Sequence, residues 1–391
     1  MPQLCQVAAR HLYADRVRID FHGSAEPTLG VEWEFALVDR RTRDLRNDAA
    51  HLFARAKPRM PAPEKLHKEL LKNTVEVVTG VCGTVGEAMA DLRDTLQYVA
   101  GAADDLDLDL YGAGTHPFAD WTGQQLTEGN RYAELINRTQ WWGRQMLIWG
   151  VHVHVGLPEK DRVMPVLNGL LTYYPHLQAL SASSPIWMGV DTGYASNRAL
   201  MFQQLPTAGL PFQFDRWEEF EHFAHDQLTT GVIDELSEIR WDLRPAIKHG
   251  TLENRICDGV STLADMQGLV ALMHCLVVWL DERVAAGETL TTMPPWHVQE
   301  NKWRAARYGV EAIVILDGDS NERLVTEDLA ELVPRLEPVA ARLGCEAELA
   351  SVLDIATRGP SYVRQRAVAE KTGNDLVAVV DSVVTELKAG L

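Results

Sequence analysis

Leu29-Gly30-Val31-Glu32-Trp33-Glu34-Phe35-Ala36-Leu37-Val38 decides how the rest of the chain is read. Successive side chains of a strand point to opposite faces. Leu29, Val31, Trp33, Phe35 and Leu37 therefore share an apolar face, and Gly30, Glu32, Glu34 and Ala36 share the other. Two carboxylates about 7 Å apart along one strand repel each other unless a positive group lies between or above them. A hard cation such as Mg2+, or an arginine, supplies that charge.

Other runs repeat the pattern. In Gly150-Val151-His152-Val153-His154-Val155-Gly156 the valines share one face and the two histidines the other. In Thr251-Leu252-Glu253-Asn254-Arg255-Ile256-Cys257, Leu252 and Ile256 face inward, opposite Glu253 and Arg255, and in residues 73–79 Glu76 opposes Val75 and Val77. A solvated sheet face ordinarily carries Lys and Thr, and these four faces carry no Lys. Taken together they read as a metal or phosphate site. Carboxylate oxygens dominate, which favours Mg2+ or Mn2+, whereas Zn2+ would draw more His and Cys. Mg2+ commonly bridges to substrate phosphates, and Arg255 on the same face suits an oxygen that gains negative charge during transfer. The pattern predicts an ATP-using site on the concave face of a sheet.

The rest of the chain sets bounds on this reading. At 391 residues with 46% hydrophobic and 24% charged residues, it has a globular composition. A net charge of -18 argues against nucleic acid or an anionic membrane as partner. Cysteines at 5, 82, 257, 275 and 345 show no regular spacing and read as reduced thiols in a cytoplasmic protein. Residues 1–21 lack the apolar core of a signal peptide. The apolar run 268–280 is too short to span a membrane, is closed by Asp281, Glu282 and Arg283, and predicts a buried helix.

Capping signals predict helices over 84–104 (Thr84 with Glu87), 262–286 (Thr262 with Asp265) and 295–308. Thr326, Gly344 and Gly373 punctuate a helical C-terminal third. Strands are predicted at 29–38, 73–79, 106–113, 150–157, 239–243 and 251–257. No repeat, long linker or Gly-rich phosphate loop after a strand is present. The expected class is α+β: a curved, mostly antiparallel sheet with an acidic concave face, flanked by helices. One domain over 1–391 is expected, with a helical portion from about 294 packed on it.

Several segments together resemble the carboxylate-amine ligases of the glutamate-cysteine ligase type 2 group, a family similar in its catalytic domain to glutamine synthetase and, more distantly, to guanidino kinases. They are Gly30 to Phe35, Glu69 with Thr74-Val75-Glu76, Gly114 to Phe118, Gly150 to Pro158, Gly193 to Arg198, Trp241 to Pro245, Thr251 to Asp258, and Glu300 to Arg304. The resemblance implies that ATP phosphorylates a carboxylate, usually the γ-carboxylate of glutamate, and that the amine of cysteine or another amine attacks the acyl phosphate. It implies that Glu32, Glu34, Glu69, Glu76, His152 and Glu253 hold Mg2+ ions. Arg255, with Glu34 and Glu253, would be catalytic, and Arg198, Arg244, His154 and Asn254 would contact substrate or nucleotide. Trp33 departs from the family, where many members carry an acid, but alternation puts it on the core face. Small-molecule amino acid and amine substrates are the expected partners, and a homo-oligomer is left open.

Cys257 reads as a packing residue, since no histidine pairs with it in sequence. His116 before Pro117 reads equally as a turn cap or a substrate contact. Trp121, Trp141, Trp142 and Trp187 could line a pocket or belong to the core, and Arg304, Arg307, Arg364 and Arg366 could reach phosphate or lie on solvated faces. Two other activities compete: a metal-dependent hydrolase using His152 and His154, and a guanidino kinase-like phosphotransferase.

Overall fold

A computed structural model of the chain describes residues 18–391. Cys5 and most of the 1–21 segment read above lie outside the described residues. The main sheet takes β1 (Leu29–Asp39), β2 (Leu66–Lys68), β3 (Thr74–Val78), β4 (Leu108–Tyr111) and β5 (Val151–Gly156). A small hairpin follows, β6 (Ile186–Trp187) and β7 (Val190–Asp191), and then β8 (Leu243–Ala246) and β9 (Thr251–Asn254) complete the main sheet. Its order is β2-β3-β1-β5-β9-β8, with β4 also on β1, and every pairing is antiparallel.

β1 organises the sheet because it is long enough to serve three partners. Residues 29–33 pair with β5, 32–36 with β3 and 36–39 with β4. Its odd-numbered side chains Val31, Trp33, Phe35 and Leu37 are buried in the main core. Against that core pack the helices Val85–Asp104 and Leu263–Ala285, which also pack on each other. Both begin as the capping signals predict: Thr84 accepts from the Glu87 amide at 3.2 Å and Thr262 from the Asp265 amide at 2.9 Å. The apolar helix Leu263–Ala285 is a core helix, with 83% of its most apolar window buried. Past Glu34 the even face of β1 also turns apolar. Ala36 and Val38 join Leu45, Tyr111 and Trp149 in a second cluster, which confines the polar patch to one end of the sheet.

The C-terminal region is helical, with Pro295–Tyr308, Val325–Leu343, Glu346–Arg358, Ser361–Lys371 and Leu376–Gly390. Gly344, at φ 64, ends the second of these in the left-handed conformation.

Two predicted strands shift. In residues 239–243 Asp242 is buried along with Ile239, Trp241 and Leu243, and the strand lies at Leu243–Ala246. Upstream, the Asp242 amide bonds the Gly209 carbonyl at 2.8 Å and Trp241 bridges Gly209, so this stretch pairs outside the sheet. Pro245, which has no amide proton, is tolerated because β8 is an edge strand. The strand predicted over 251–257 ends at Asn254, where its ladder with β5 stops; the Arg255 amide still bonds the Asp242 carbonyl at 2.7 Å, in register with β8.

Candidate active site

The strand register assembles the polar face. Glu34 lies directly opposite Glu76, Glu32 opposite His152, Gly30 opposite His154, and Glu253 between His154 and Arg244. Glu69 arrives from the turn after β2, where its carboxylate accepts from the Leu70 amide at 3.2 Å. Arg198 arrives from the short helix Asn197–Phe202, capped by Ser196. Ser196 donates to Asp258 at 2.8 Å, and Asp258 also accepts from Ser184 at 2.6 Å and from the Ser183 amide at 3.0 Å. The first turn carrying Arg198 is thereby fixed.

A cavity of about 340 Å3 opens over this face. Glu32, Glu34, Glu69, Glu76 and His152 line one part of it, and Arg131, Arg198, Arg240, Arg244 and Arg255 another. Ligand atoms of Glu34, Glu69 and Glu76 lie within 4.8 Å of one another, as do those of Glu32, Glu76 and His152. Like charges this close resist ionisation. Burial, then the charge of Glu34, pushes the Glu69 carboxyl up to about 8. Burial, then Glu69, Glu32 and Glu34, push Glu76 well above its ordinary value.

Glu32 behaves oppositely. Burial disfavours its charge, but hydrogen bonds from His152 Nδ1 at 2.7 Å and His154 Nε2 at 3.2 Å hold it well below the carboxylate range. The two histidines thus bracket one carboxylate rather than converging on a metal of their own. Burial and Arg255 keep His152 low, whereas Glu253 and Glu32 overcome burial to raise His154.

Glu253 sits at the other end of the face, fully buried. Arg244 Nε reaches its Oε2 at 2.6 Å and Arg244 Nη2 its Oε1 at 3.3 Å, and Arg255 Nη1 donates to the same Oε1. Burial opposes its ionisation, and the two guanidiniums hold it ionised well below the usual range. Arg244 Nη1 donates to the Ser237 and Ile239 carbonyls, each at 2.8 Å. Arg198 donates to the Arg255 and Ile256 carbonyls at 3.1 and 3.2 Å, and its Nε has no partner. Gly150 makes room for it, since a Cβ there would stand 2.1 Å from Arg198 Nη2. The guanidiniums of Arg198 and Arg255 both lie over the Phe202 ring, at 5.7 and 5.9 Å.

The structure therefore brings Glu32, Glu34, Glu69, Glu76, His152, His154, Arg198, Arg244, Glu253 and Arg255 to one face. Asn254 is not among them. As an even neighbour of Glu253 it points to the core, fully buried, with Nδ2 3.2 Å from Cys257 Sγ and Oδ1 accepting from the Ile256 amide at 3.3 Å. Cys257 packs there too, its thiol pushed up to about 11 by burial.

His116 is a turn cap, its Nδ1 accepting from the Ala119 amide at 3.1 Å. Arg364 pairs with Asp265 and Glu386, and Arg366 with Asp191. Arg304 pairs with Glu300 and Glu322, and Arg307 lies over Tyr194 and Tyr308. Trp141 and Trp142 are exposed. None of these lines the cavity. Arg131, Tyr132 and Arg240 do, and sequence reasoning passed over them; the run Gly129-Asn130-Arg131-Tyr132 has no strand alternation to flag it.

A model of the family described as glutamate-cysteine ligase family 2 matches residues 28–382. A protein of Nocardioides sp. bearing the name "Putative glutamate--cysteine ligase 2-3" is 79% identical over 375 residues, covering 96% of this chain and 100% of that protein. One of Mycobacterium tuberculosis, named "Putative glutamate--cysteine ligase 2", is 64% identical over 370 residues, 95% of this chain and 97% of its own. Among solved structures, the glutamate–cysteine ligase of Francisella tularensis in complex with AMP superimposes with a TM-score of 0.65 at 14% identity, covering 94% of this chain and 90% of that one. The ligase PafA, solved in complex with the ubiquitin-like protein Pup, gives a TM-score of 0.51 at 12% identity over 90% of this chain and 69% of that chain. These two likenesses show a shared fold.

Proposed function

The chain belongs to glutamate-cysteine ligase family 2 and is an ATP-dependent carboxylate-amine ligase, and we propose that its acid is glutamate, activated at the γ-carboxylate, and its nucleophile the amine of cysteine or another amine. The hydrolase and guanidino kinase readings find no support among the similar proteins. The observation that carries the proposal is the acidic group of Glu34, Glu69 and Glu76, crowded within 4.8 Å and facing a cavity that five arginines also line.

The donor set fits a divalent ion. Three carboxylates with no cation among them, two of them pushed toward protonation by burial and one another, lack a positive charge, and an all-oxygen set suits Mg2+ or Mn2+. Glu34, Glu69 and Glu76 would hold one ion, and Glu32, Glu76 and His152 a second. Such an ion supplies charge neutralisation to the β and γ phosphate oxygens when bound. Arg255, pinned by Glu253, steadies the phosphoryl group as it passes to the carboxylate, and Arg198 offers its free guanidinium edge to phosphate or carboxylate. Glu253 and Arg244 act as the clamp that aims Arg255. The γ-carboxylate oxygen bonds to the γ-phosphorus while the bond to ADP breaks. The amine then attacks the acyl carbon and expels phosphate, so no enzyme nucleophile is needed.

A cytoplasmic location accords with the use of ATP and with free thiols at Cys82, Cys257, Cys275 and Cys345. Protein incubated with Mg2+, ATP, glutamate and cysteine is expected to release ADP and phosphate and to form a γ-linked dipeptide. Release that needs no amine, or none across a panel of acids and amines, overturns the proposal.

A further inference from the structure

The cavity over the acidic face adjoins a second one of about 330 Å3, and the two share Arg131, Leu135 and Arg240. The second mixes both signs of charge: Arg131, Arg138 and Arg240 line it together with Glu134, Asp234, Glu235 and Glu238. The cations are sparsely compensated. Arg138 and Arg240 share one carboxylate, Glu238 Oε2, at 3.4 and 3.5 Å. Arg131 makes no ion pair among the described residues, and neither do Glu134, Asp234 or Glu235. Burial and, against the pull of Glu238, the charges of Arg131 and Arg138 lower the basicity of Arg240. One unpaired guanidinium, two that share a single carboxylate, and three unpaired carboxylates therefore face one space, which suits a ligand that carries both charges.

We propose that this second cavity receives the α-amino-acid head of the acid substrate, with Arg131 and Arg240 holding its carboxylate and Glu134, Asp234 and Glu235 its ammonium. This rests on glutamate being the acid. The amine substrate must present an uncharged nitrogen at the acyl carbon, so only the acid keeps both an ammonium and a second carboxylate out of the reaction. A polyphosphate is disfavoured there, because four carboxylates would repel it and the acidic triad that suits a metal lies in the other cavity. Arg131 and Arg240 stand where the two spaces meet, which lets the γ-carboxylate reach toward the acidic face while the head stays behind.

Arg131→Met and Arg240→Met test this with glutamate, with 4-aminobutanoate, which lacks the α-carboxylate, and with glutarate, which lacks the ammonium. Each variant is expected to raise the KM for glutamate by about 10- to 100-fold with the KM for ATP changed less than about two-fold. The preference of the wild-type enzyme for glutamate over 4-aminobutanoate should shrink by the same factor, and its preference over glutarate should persist. A raised KM for ATP, or an unchanged preference for glutamate over 4-aminobutanoate, overturns the inference. Arg131 is exposed, so its variant reads the effect without a folding defect. If the wild-type chain releases no ADP with glutamate and any amine, the proposed function fails. Calorimetric titration with glutamate then decides the inference alone: binding that weakens in both variants sustains it, and absent or unaltered binding overturns it.

Discussion

The two ends of the polar face hold carboxylates of the same kind in opposite electrostatic states. Glu253 is fully buried yet ionised, because Arg244 and Arg255 supply the positive charge it needs. Glu34 on β1, Glu76 on β3 and Glu69 in the turn after β2 have no such partner, and burial and repulsion push Glu69 and Glu76 toward protonation. Carboxylates at one end are spent on internal pairs; at the other they are left open to a cation. Sequence alternation finds Glu34, Glu76 and Glu253 alike and cannot separate them, because it reports a face and says nothing of what stands above it.

Neutralising one acid at each end is the strongest way to break this comparison. Glu34→Gln is expected to lower turnover by about 10³-fold while far-UV circular dichroism and urea midpoint stay near wild type, since it relieves repulsion as well as removing a ligand. Turnover within ten-fold of wild type would remove Glu34 from the site. Glu253→Gln should fail differently. Breaking a buried ion pair from one side leaves two guanidiniums short of their counter-charge, at about 3–5 kcal/mol of stability, so the denaturation midpoint should fall together with activity.

Magnesium sharpens the contrast further. At 100 times its dissociation constant a ligand of the native state adds about 2.7 kcal/mol, so MgCl2 should raise the melting temperature of the wild type and of Glu253→Gln but not of Glu76→Gln. Equal shifts in all three would place the ion elsewhere.

Smallest per residue is the effect of buried groups kept uncharged. Burial lowers His116 and His274 to about 4 against 6.5 for an exposed imidazole. Both states are neutral above pH 6.5, so the contribution is whole there. As pH falls from 6.5 toward 4 only the unfolded chain takes up protons, and stability drops. At pH 5 the loss is about 2 kcal/mol per histidine, readable as a lower urea midpoint than at pH 7 and diminished in His116→Asn. A flat profile between pH 7 and pH 5 would contradict this.

What the sequence disclosed follows from what a period can encode. Glu32, Glu34, Glu76, His152, Glu253 and Arg255 were legible because each sits in or beside a strand whose other face is apolar. Asn254 was misassigned by its place between two functional neighbours, although the same alternation sends it to the core. Arg131 lies on the helix Asn130–Thr139, where no strand alternation marks a cavity-lining side chain, and Arg240 lies on the stretch before β8 that pairs outside the main sheet. The pairing of Glu253 with two arginines was hidden too, since Arg244 meets it through strand register, which only the folded sheet defines.

The three-way pairing of β1 has a consequence for motion. A strand hydrogen-bonded on both sides, with Trp33 and Phe35 fully buried, exchanges its amide protons only when most of the molecule opens. Glu32 and Glu34 are thus carried on the segment that should be last to unfold, and their spacing cannot relax to ease the crowding with Glu69 and Glu76. Amide exchange at these two positions should be among the slowest in the chain. The same stiffness would make an incoming ion meet its ligands already in place, with little chain entropy left to lose.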